Sequence, residues 1–592
     1  MRILRYMKKY WYIAILAPLM MLGEVSMDFF LTQYMQKMVD YGINTGSIEN
    51  VTKYGLMMLG IVLLGVTFGI LAGIFTNLAC FKYSNDLRNA LYEKIMQLSY
   101  NQADDFSTST LITRVTNDVT QVQNMLSMSL RGLVRAASFF ILGIVFTIAI
   151  SPRFGYLILI ILPLELLIMI IFMKTMTPHF MAMRKKIDNL NTVVHENVSG
   201  ARVIKAFGKE DYEYDRFVAT NDDYTKTLLF VNKAMAFVMP LMMIIIYGAS
   251  MFIYYYGGSS ILEAFAAWGG IGTVDDSNMI MLGQITAAVT YISMICMSIM
   301  MLGMMFTMVI NASASAKRIN AVLDSEIEIK DGNLDINTLT EAGTIEFKNV
   351  GFKYEKASAN VLSNMNFKIN KGEMVAIVGS TGCGKTSLIN LIPRFYDCTE
   401  GEVLVDGVNV KEYKLFELRN KIATCLQKAE LFKGTIKENI LWGKADASDE
   451  EIEEAIEISQ AKEFIDTREK GLDEWVEEKG TSLSGGQKQR LSIARALIKK
   501  PEIIIFDDST SALDLITEAK LHSAMRKFCP EMTKIVVAQR VATAKNADKI
   551  IVIDKGSIVG FDTHENLMKS CDIYQDIYNS QLKKEDVFDE FK

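Results

Sequence analysis

The sequence predicts two domains of different class, an all-α membrane domain followed by an α/β domain. Half of the 592 residues are hydrophobic and the mean hydropathy is +0.20, which is too apolar for an ordinary soluble protein. Charged residues make up 22%, too many for a chain that lies entirely within a bilayer. We place the membrane domain at residues 1–320, a polar linker at 321–342 and the α/β domain at 343–592.

Six segments of the first domain are long and apolar enough to cross a bilayer, which takes about 20 residues as a helix. They lie near residues 11–35, 55–80, 132–151, 154–176, 228–256 and 279–311. The first resembles a signal peptide but continues into Asp28 and Phe29 without a small-residue cleavage site. We therefore interpret it as an uncleaved first membrane helix.

The stretches between the second and third segments and between the fourth and fifth are long and charged. Neither contains a Pro-Gly cluster, so we expect long helices to continue through them. In the first of these stretches apolar residues recur at helical spacing: Leu111, Val115, Val119 and Val122. The third and fourth segments are joined by a short turn at Ser151-Pro152-Arg153.

Basic residues indicate the orientation of the membrane domain. They precede the first segment and occupy the second long stretch: Arg2, Arg5, Lys8, Lys9, Arg184, Lys185, Lys186, Arg202 and Lys205. The loops around 40–53 and 257–278 contain few basic residues. Because positive charge is retained inside, we expect a multi-pass protein of the cell (plasma or inner) membrane with both termini cytoplasmic.

Composition argues against several other classes of protein. The net charge is −6 and no basic tract is present, so we expect no nucleic-acid partner. The seven cysteines are scattered and form no CxxC pair, which is typical of neither a disulfide framework nor a zinc site.

The α/β domain contains a phosphate-binding motif of the form GxxxxGK[ST]. It follows an apolar strand and precedes a helix, and its residues are Gly379, Ser380, Thr381, Gly382, Cys383, Gly384, Lys385 and Thr386. The glycines allow backbone N–H groups to converge on phosphate at the start of a helix. Lys385 supplies charge to the outer phosphates and Thr386 a hydroxyl to Mg²⁺. The second domain is therefore predicted to be a P-loop nucleotide-binding domain.

Two further features accompany the phosphate loop. Asp507 ends the apolar strand Ile503–Asp507, where its carboxylate would hold Mg²⁺, usually through water. The second feature opens a helix with a serine and two glycines, a second candidate anion site: Ser484, Gly485, Gly486 and Gln487.

With these motifs in this order, the chain resembles an ATP-binding cassette (ABC) exporter half-transporter over nearly its full length. The resemblance implies the type IV ABC exporter architecture, with ATP and Mg²⁺ as the bound groups. It also implies that Tyr354 stacks on adenine and that Gln427 senses Mg²⁺ and contacts the membrane domain. Ser511–Asp514 is similar to the loop that crosses the interface between two cassettes. The segments 105–119 and 200–207 resemble the cytoplasmic stretches that couple the domains.

At two positions the chain departs from this family. Asp508 stands where a glutamate base is expected, and Gln539 stands where a histidine is expected. Aspartate is one methylene shorter, and a misplacement of about 1 Å can cost on the order of 100-fold in rate. Glutamine can donate a hydrogen bond but cannot exchange a proton near neutral pH. We expect the site on this chain's phosphate loop to bind ATP and to turn it over slowly.

The resemblance implies that two cassettes pair head to tail, each ATP lying between one phosphate loop and the other chain's signature. Since Ser484 to Gln487 are intact here, we expect a heterodimer with a second half-transporter that carries the catalytic glutamate and histidine. Two alternatives remain open. One is a homodimer with two slow sites; the other is a regulatory or sensor subunit that binds ATP without moving cargo.

The resemblance further implies a translocase of the multidrug type, which exports amphipathic or lipid-like small molecules from the bilayer. Glu24, Asp28 and Glu165 lie within predicted membrane helices, where they could contact a cationic substrate or pair with Arg131, Arg135 or Lys233. One face of the sixth segment carries five methionines: Met294, Met297, Met301, Met304 and Met308. They could form an adaptable wall for substrates, but we favour a packing or lipid-facing role.

Overall fold

The computed structural model describes residues 2–267, 281–334, 342–355, 357–538 and 540–580. Contacts divide the chain into two units, Met1–Met96 with Ser109–Ser325 and Gln97–Thr108 with Glu326–Lys592. The first unit contains the six predicted membrane helices, which are confirmed as long apolar helices. They span Ile3–Ile43, Ile48–Met96, Thr108–Ile150, Pro152–Ser199, Glu210–Leu262 and Leu282–Leu323.

Ten α-helices build this part of the chain. They are α1 (Trp11–Met38), α2 (Ile48–Met96), α3 (Tyr100–Phe106), α4 (Thr108–Thr113), α5 (Val119–Met128), α6 (Val134–Ile150), α7 (Pro152–Ser199), α8 (Ala201–Phe207), α9 (Glu210–Ala267) and α10 (Leu282–Leu323). A 3₁₀ helix precedes α1, and single π-helical turns lie at 39–43, 114–118 and 129–133. As predicted, α6 and α7 are separated by Ser151 alone, with Pro152 in the first turn of α7.

The prediction of unbroken helices through the charged stretches is wrong at four places in the described residues, after α2, α3, α7 and α8, and none of them has a Pro-Gly cluster. The helix is interrupted after α2 because Ser99 forms a capping box with Gln102 and so starts the new helix α3. Ser107 has a φ of 55° and separates α3 from α4. Gly208 adopts the left-handed conformation between α8 and α9. Gly200 separates α7 from α8. One side-chain cap, one serine with left-handed backbone and two single glycines therefore interrupt the helices.

The acidic residues of the membrane helices have different surroundings. Arg135 of α6 approaches two carboxylates of α1, with its Nη1 3.4 Å from Glu24 Oε1 and its Nη2 3.8 Å from Asp28 Oδ2. Of the proposed basic partners, the structure thus brings Arg135 to this pair. Glu165 of α7 is fully buried and lies beside Cys296 of α10.

The methionines of α10 do not share one environment. Met294 packs against the cluster around Phe29 and Tyr291, whereas Met297 is 48% exposed. Met301 Cε lies 3.2 Å from where a Cβ on Gly132 would stand, so this side chain fills a helix contact. The side chain of Met304 lies outside the described part. Packing accounts for Met294 and Met301, in agreement with the interpretation that we favour.

The second unit is the predicted α/β domain, which is confirmed. Its strands are β1 (Ile345–Phe352), β2 (Leu362–Ile369), β3 (Met374–Gly379), β4 (Glu400–Val405), β5 (Val408–Asn409), β6 (Ile422–Cys425), β7 (Gly434–Thr435), β8 (Trp475–Val476), β9 (Ile503–Asp507), β10 (Thr533–Val537), β11 (Lys549–Asp554) and β12 (Ser557–Asp562). Its helices are α11 (Lys385–Leu391), α12 (Leu415–Lys421), α13 (Ile436–Leu441), α14 (Asp449–Ile458), α15 (Lys462–Ile465), α16 (Gly485–Leu497), α17 (Leu515–Phe528), α18 (Val541–Lys545) and α19 (His564–Ser570).

The strands form a six-stranded sheet in the order β12-β11-β3-β10-β9-β6, a four-stranded sheet β2-β1-β4-β5 and a short pair β7-β8. In the larger sheet β3, β10 and β9 are neighbouring parallel strands, and Val537 stands opposite both Ile377 and Asp507. Because parallel strands end at the same edge, the segments that follow these three strands meet there.

The short helix α3 belongs to the second unit. Its cap residue Ser99 donates from Oγ to Glu328 Oε2 at 2.6 Å. The ring of Tyr100 lies 4.7 Å from that of Phe395. Asn101 and Gln102 donate further hydrogen bonds, to Glu355 Oε2 and to the backbone oxygen of Glu326. The segment that directly precedes the predicted first coupling stretch is thus held by several contacts within the second unit.

Candidate nucleotide-binding site

The phosphate loop runs from the end of β3 to the start of α11. Gly384, which directly precedes the helix, has a φ of 103° that an L side chain rarely adopts, and a Cβ there would stand 2.7 Å from Leu362 Cδ2. Lys385 Nζ donates to the carbonyl oxygens of Gly379 and Ser380, each at 2.8 Å. The ammonium group of Lys385 therefore lies against the backbone of this loop. A phosphate bound by the loop would contact the same backbone.

This loop forms one wall of a cavity of about 770 Å³. The remaining walls come from the edge of the sheet and from two neighbouring segments; the lining residues are Tyr354, Val361, Val378, Gly379, Ser380, Thr381, Gly382, Gly384, Lys385, Thr386, Ser387, Gln427, Asp507, Asp508, Val537, Ala538, Val541 and Ile577. Its size suits a nucleotide-sized ligand. Among the described residues that line it, none comes from the signature Ser484–Gln487.

Tyr354 occupies one end of this cavity in a fixed orientation. Its hydroxyl is 2.9 Å from Ser387 Oγ. The ring meets that of Phe352 at 4.7 Å and that of Tyr396 at 5.4 Å, both in edge-on geometry. Packed in this way, the aromatic ring is available as a flat wall of the cavity.

Oxygen atoms suited to a divalent cation also line this cavity. Thr386 Oγ1 donates to Asp507 Oδ1 at 3.0 Å, and Gln427 Nε2 donates to Asp508 Oδ2 at 3.2 Å. Hydroxyl, carboxylate and amide oxygens are the ligands that Mg²⁺ prefers, so Thr386, Asp507 and Gln427 fit the predicted magnesium site. Burial raises the pKa of Asp507, and the neighbouring Asp508 raises it further. A bound cation would oppose both effects and keep the carboxylate ionised.

Asp508 is held in an unusual backbone conformation. Its φ is 52°, in the left-handed region that a residue with a side chain rarely adopts. Ser511 Oγ donates to the carbonyl oxygen of Asp508 at 2.8 Å. Burial raises the pKa of Asp508, although the hydrogen bonds from Gln427 and Ser511 oppose this shift. The carboxylate is therefore placed by local contacts at the edge of the cavity.

The signature segment opens a helix as predicted. Ser484 is the N-cap of α16, and its Oγ accepts a hydrogen bond from Gln487 N while Gln487 Oε1 accepts one from Ser484 N at 3.0 Å. Further along the same helix, Gln489 Nε2 donates to the backbone oxygen of Gln427 at 2.8 Å. One hydrogen bond thus joins the signature helix to the segment that carries Gln427.

Comparison with known proteins identifies the family of the whole chain. Residues 13–299 match the ABC transporter transmembrane region, and residues 362–511 match the ABC transporter family. The chain is 34% identical over 582 residues to the uncharacterized ABC transporter ATP-binding protein YfiB of Bacillus subtilis, covering 98% of both chains. The chain belongs to the ABC transporter family. This ABC exporter is also 34% identical to the ATP-dependent lipid A-core flippase of Desulfotalea psychrophila, over 84% of each chain.

A solved structure supports the fold of this ABC exporter. The structure of a bacterial Atm1-family ABC exporter with ATP bound superposes with a TM-score of 0.77 and covers 96% of this chain and 99% of the other. At 24% identity this likeness shows the fold alone, namely the type IV exporter architecture.

Most of the predicted site residues come together in this ABC exporter. The phosphate loop except Cys383, together with Tyr354, Gln427, Asp507 and Asp508, lines one cavity, and the signature does not line it. The side chain of Cys383 is buried in the core of the domain. Gln539 lies outside the described residues. Sequence reasoning missed Ser387, which directly follows the motif and could have been included. It also missed Val361 and Ile577, which belong to no motif and reach the cavity only through the fold.

Proposed function

We propose that this chain is one half of an ATP-driven exporter and that the cavity in its cassette binds ATP with Mg²⁺. The observation that carries this proposal is the convergence of Lys385, Thr386 and Asp507 on one cavity that is also lined by the ring of Tyr354. Tyr354 would hold the adenine, Lys385 the outer phosphates, and Thr386, Gln427 and Asp507 the cation. When bound, Mg²⁺ supplies charge that neutralises the phosphates.

Turnover at this site is slow. Asp508 has a shorter side chain than glutamate, and its carboxylate accepts a hydrogen bond from Gln427 at 3.2 Å. Both features keep it from serving as a well-placed base for water. Gln539 adds a hydrogen-bond donor at the second altered position but no group that exchanges protons near neutral pH.

The partner is a second half-transporter with a glutamate and a histidine at the two altered positions. The signature Ser484–Gln487 is intact and does not line this chain's own cavity among the described residues, so it is available to a nucleotide held by another chain. Such a pair has one slow and one competent site. A homodimer would contain two slow sites, and a sensor subunit would bind ATP without transport.

The cargo is an amphipathic or lipid-like small molecule, as in exporters of the multidrug type. Two curated relatives, from Desulfotalea psychrophila and Syntrophus aciditrophicus, are named ATP-dependent lipid A-core flippases, at 34% and 33% identity. In this chain the carboxylates of Glu24 and Asp28 face Arg135, so they do not present two unpaired charges to a substrate. This pairing favours apolar over strongly cationic cargo.

The experiment that tests the pairing is affinity purification of this chain from its native membrane, with identification of proteins recovered in equal amount. A second half-transporter with glutamate and histidine at the matching positions is the expected result. Recovery of this chain paired only with itself would overturn the heterodimer.

Transport is then measured as ATP-dependent accumulation of an amphipathic dye in inside-out vesicles that contain the purified complex. Accumulation is expected for an exporter. Its absence, in vesicles whose cassettes still hydrolyse ATP, would favour the sensor alternative.

A further inference from the structure

A partly buried contact between Glu518 and Arg540 lies near the candidate site, outside every motif that the sequence analysis used. Arg540 Nη1 donates to Glu518 Oε2 at 3.2 Å, and the glutamate side chain is only 6% exposed. The other carboxylate oxygen accepts hydrogen bonds from Thr510 Oγ1 at 2.8 Å and from Thr543 Oγ1 at 2.7 Å. Glu518 is thus fixed by three donors from two segments, one that contains Thr510 and one that contains both Arg540 and Thr543.

The guanidinium of Arg540 also holds the segment after the acidic pair. Nη1 donates to the carbonyl oxygen of Leu513 at 3.1 Å, and Nη2 donates to that of Ser511 at 3.2 Å. A guanidinium presents its donors in a rigid planar fork, so the two carbonyls are fixed relative to each other and to Glu518. A lysine ammonium, which is a point charge on a flexible stem, could not reproduce this arrangement.

From this segment the contacts continue to the cavity. Ser511 Oγ donates to the carbonyl oxygen of Asp508, whose left-handed backbone needs support from its surroundings. The sequence of contacts is therefore Glu518 to Arg540, Arg540 to Ser511 and Ser511 to Asp508. Glu518 and Arg540 do not line the cavity, whereas Asp508 does.

We propose that Arg540 and Glu518 are positioning residues for ATP hydrolysis, which fix the backbone of Ser511–Leu513 and through it the carboxylate of Asp508. They act without touching the nucleotide. Because displacements of about 1 Å can change a catalysed rate on the order of 100-fold, loss of this support is expected to slow hydrolysis and to spare ATP binding. The inference concerns this chain's own site and is independent of the cargo.

The test is single-turnover hydrolysis of radiolabelled ATP by the full-length transporter in nanodiscs, with the co-purifying chain present. If that chain is a different half-transporter, its phosphate-loop lysine is replaced by alanine so that turnover is read from this chain's site. Arg540→Ala is expected to lower the rate at least about ten-fold and to leave ATP affinity within about twofold. Arg540→Lys and Glu518→Gln are expected to give intermediate rates, because each keeps part of the contact.

A matched control is Arg526→Ala, which removes an arginine of the same helix as Glu518 that donates to the carbonyl oxygen of Asn546. Its rate is expected to equal that of the wild type. An Arg540→Ala rate within twofold of wild type would overturn the proposal. So would a proportional loss of rate, ATP affinity and thermal stability in both Arg540→Ala and Glu518→Gln, since that pattern describes a purely structural role. Failure of the exporter proposal would appear in the dye assay instead.

Discussion

At the scale of single residues, Asp508 is the group that we propose limits ATP turnover in this cassette. If its short side chain and Gln539 cause the slow turnover, Asp508→Glu combined with Gln539→His should raise hydrolysis at this site by about 10- to 100-fold. The two gains need not multiply, because residues that act together are non-additive. The measurement is the single-turnover rate of the double variant and of each single variant.

Asp508→Asn is the matched control for this change, since it keeps the length of the side chain and removes its charge. It is expected to hydrolyse ATP no faster than the wild type. An unchanged rate in the double variant would place the defect elsewhere, for example in the signature that the partner supplies.

Glu518 predicts a pH dependence of stability. Burial alone would raise its pKa, but the nearby His522 and the hydrogen bonds from Thr543 and Thr510 outweigh burial and leave the pKa below its usual value. The unfolded glutamate, with a pKa of about 4.3, then binds protons more readily than the folded one. The stabilisation is therefore fully present above about pH 4.3 and is lost as the pH falls through the lower folded-state pKa.

The measurement is the thermal midpoint of the detergent-solubilised transporter between about pH 3.5 and 6. Glu518→Gln removes the titrating group, so its midpoint should fall less steeply below about pH 4.3 than that of the wild type. Parallel curves for the two proteins would contradict this assignment.

At the scale of elements, the short helix α3 depends on its cap. Ser99→Ala removes both the capping hydrogen bond to Gln102 N and the bond to Glu328, and losing a serine cap costs about 1 kcal/mol. Hydrogen–deuterium exchange of residues 97–108 should accelerate several-fold, while exchange in β3 stays unchanged. Ser99→Thr keeps a capping hydroxyl and should exchange at nearly the wild-type rate. Equal exchange in Ser99→Ala and wild type would mean that the remaining contacts of Tyr100, Asn101 and Gln102 hold the helix without its cap.

Two glycines of α10 allow close helix contacts of different kinds. A Cβ on Gly303 would stand 1.6 Å from Met169 Cε, whereas one on Gly283 would stand 2.5 Å from the backbone oxygen of Gln36 and 2.7 Å from the carboxylate of Asp40. A methionine tip can rotate away, but backbone cannot. Gly283→Ala should therefore lower the thermal midpoint more than Gly303→Ala, by about 2–4 °C for each kcal/mol lost. The reverse order would show that Met169 is not free to move.

Elements that depend on a local sequence pattern were predicted correctly. Six apolar runs gave six long helices, and the strand–loop–helix pattern around Lys385 gave β3 and α11. The helix breaks at Ser99 and Ser107 were missed because a serine cap competes with helix continuation only when a tertiary contact, here with Glu328, favours it. A single sequence does not contain that information.

In the candidate site, too, residues that belong to local motifs were predicted, and residues that depend on long-range contacts were not. The phosphate loop and the acidic pair lie at one edge of the sheet because they follow the parallel strands β3 and β9. Gln427 follows the neighbouring strand β6, and Tyr354 follows β1 of the smaller sheet. Ile577 and the Arg540–Glu518 pair escaped prediction because each depends on contacts between segments far apart in the chain.

At the scale of the whole molecule, the two sites of the proposed pair should respond differently to loss of the phosphate-loop lysine. Lys385→Ala in this chain should leave a measurable part of the dye transport, because the competent site is held by the partner's phosphate loop. The corresponding change in the partner should abolish transport. The measurement is initial dye flux in vesicles with matched amounts of complex. Equal loss from both variants would contradict the asymmetric arrangement.

The hydrogen bond from Gln489 to the backbone oxygen of Gln427 has a mechanical consequence. It connects the helix that begins at the signature to the residue that contacts Asp508. A displacement of Gln427 by a cation in this chain's cavity would therefore be passed to the helix that begins at the signature. Occupancy of one nucleotide pocket would then reach, through Gln489, the segment that we propose completes the other pocket.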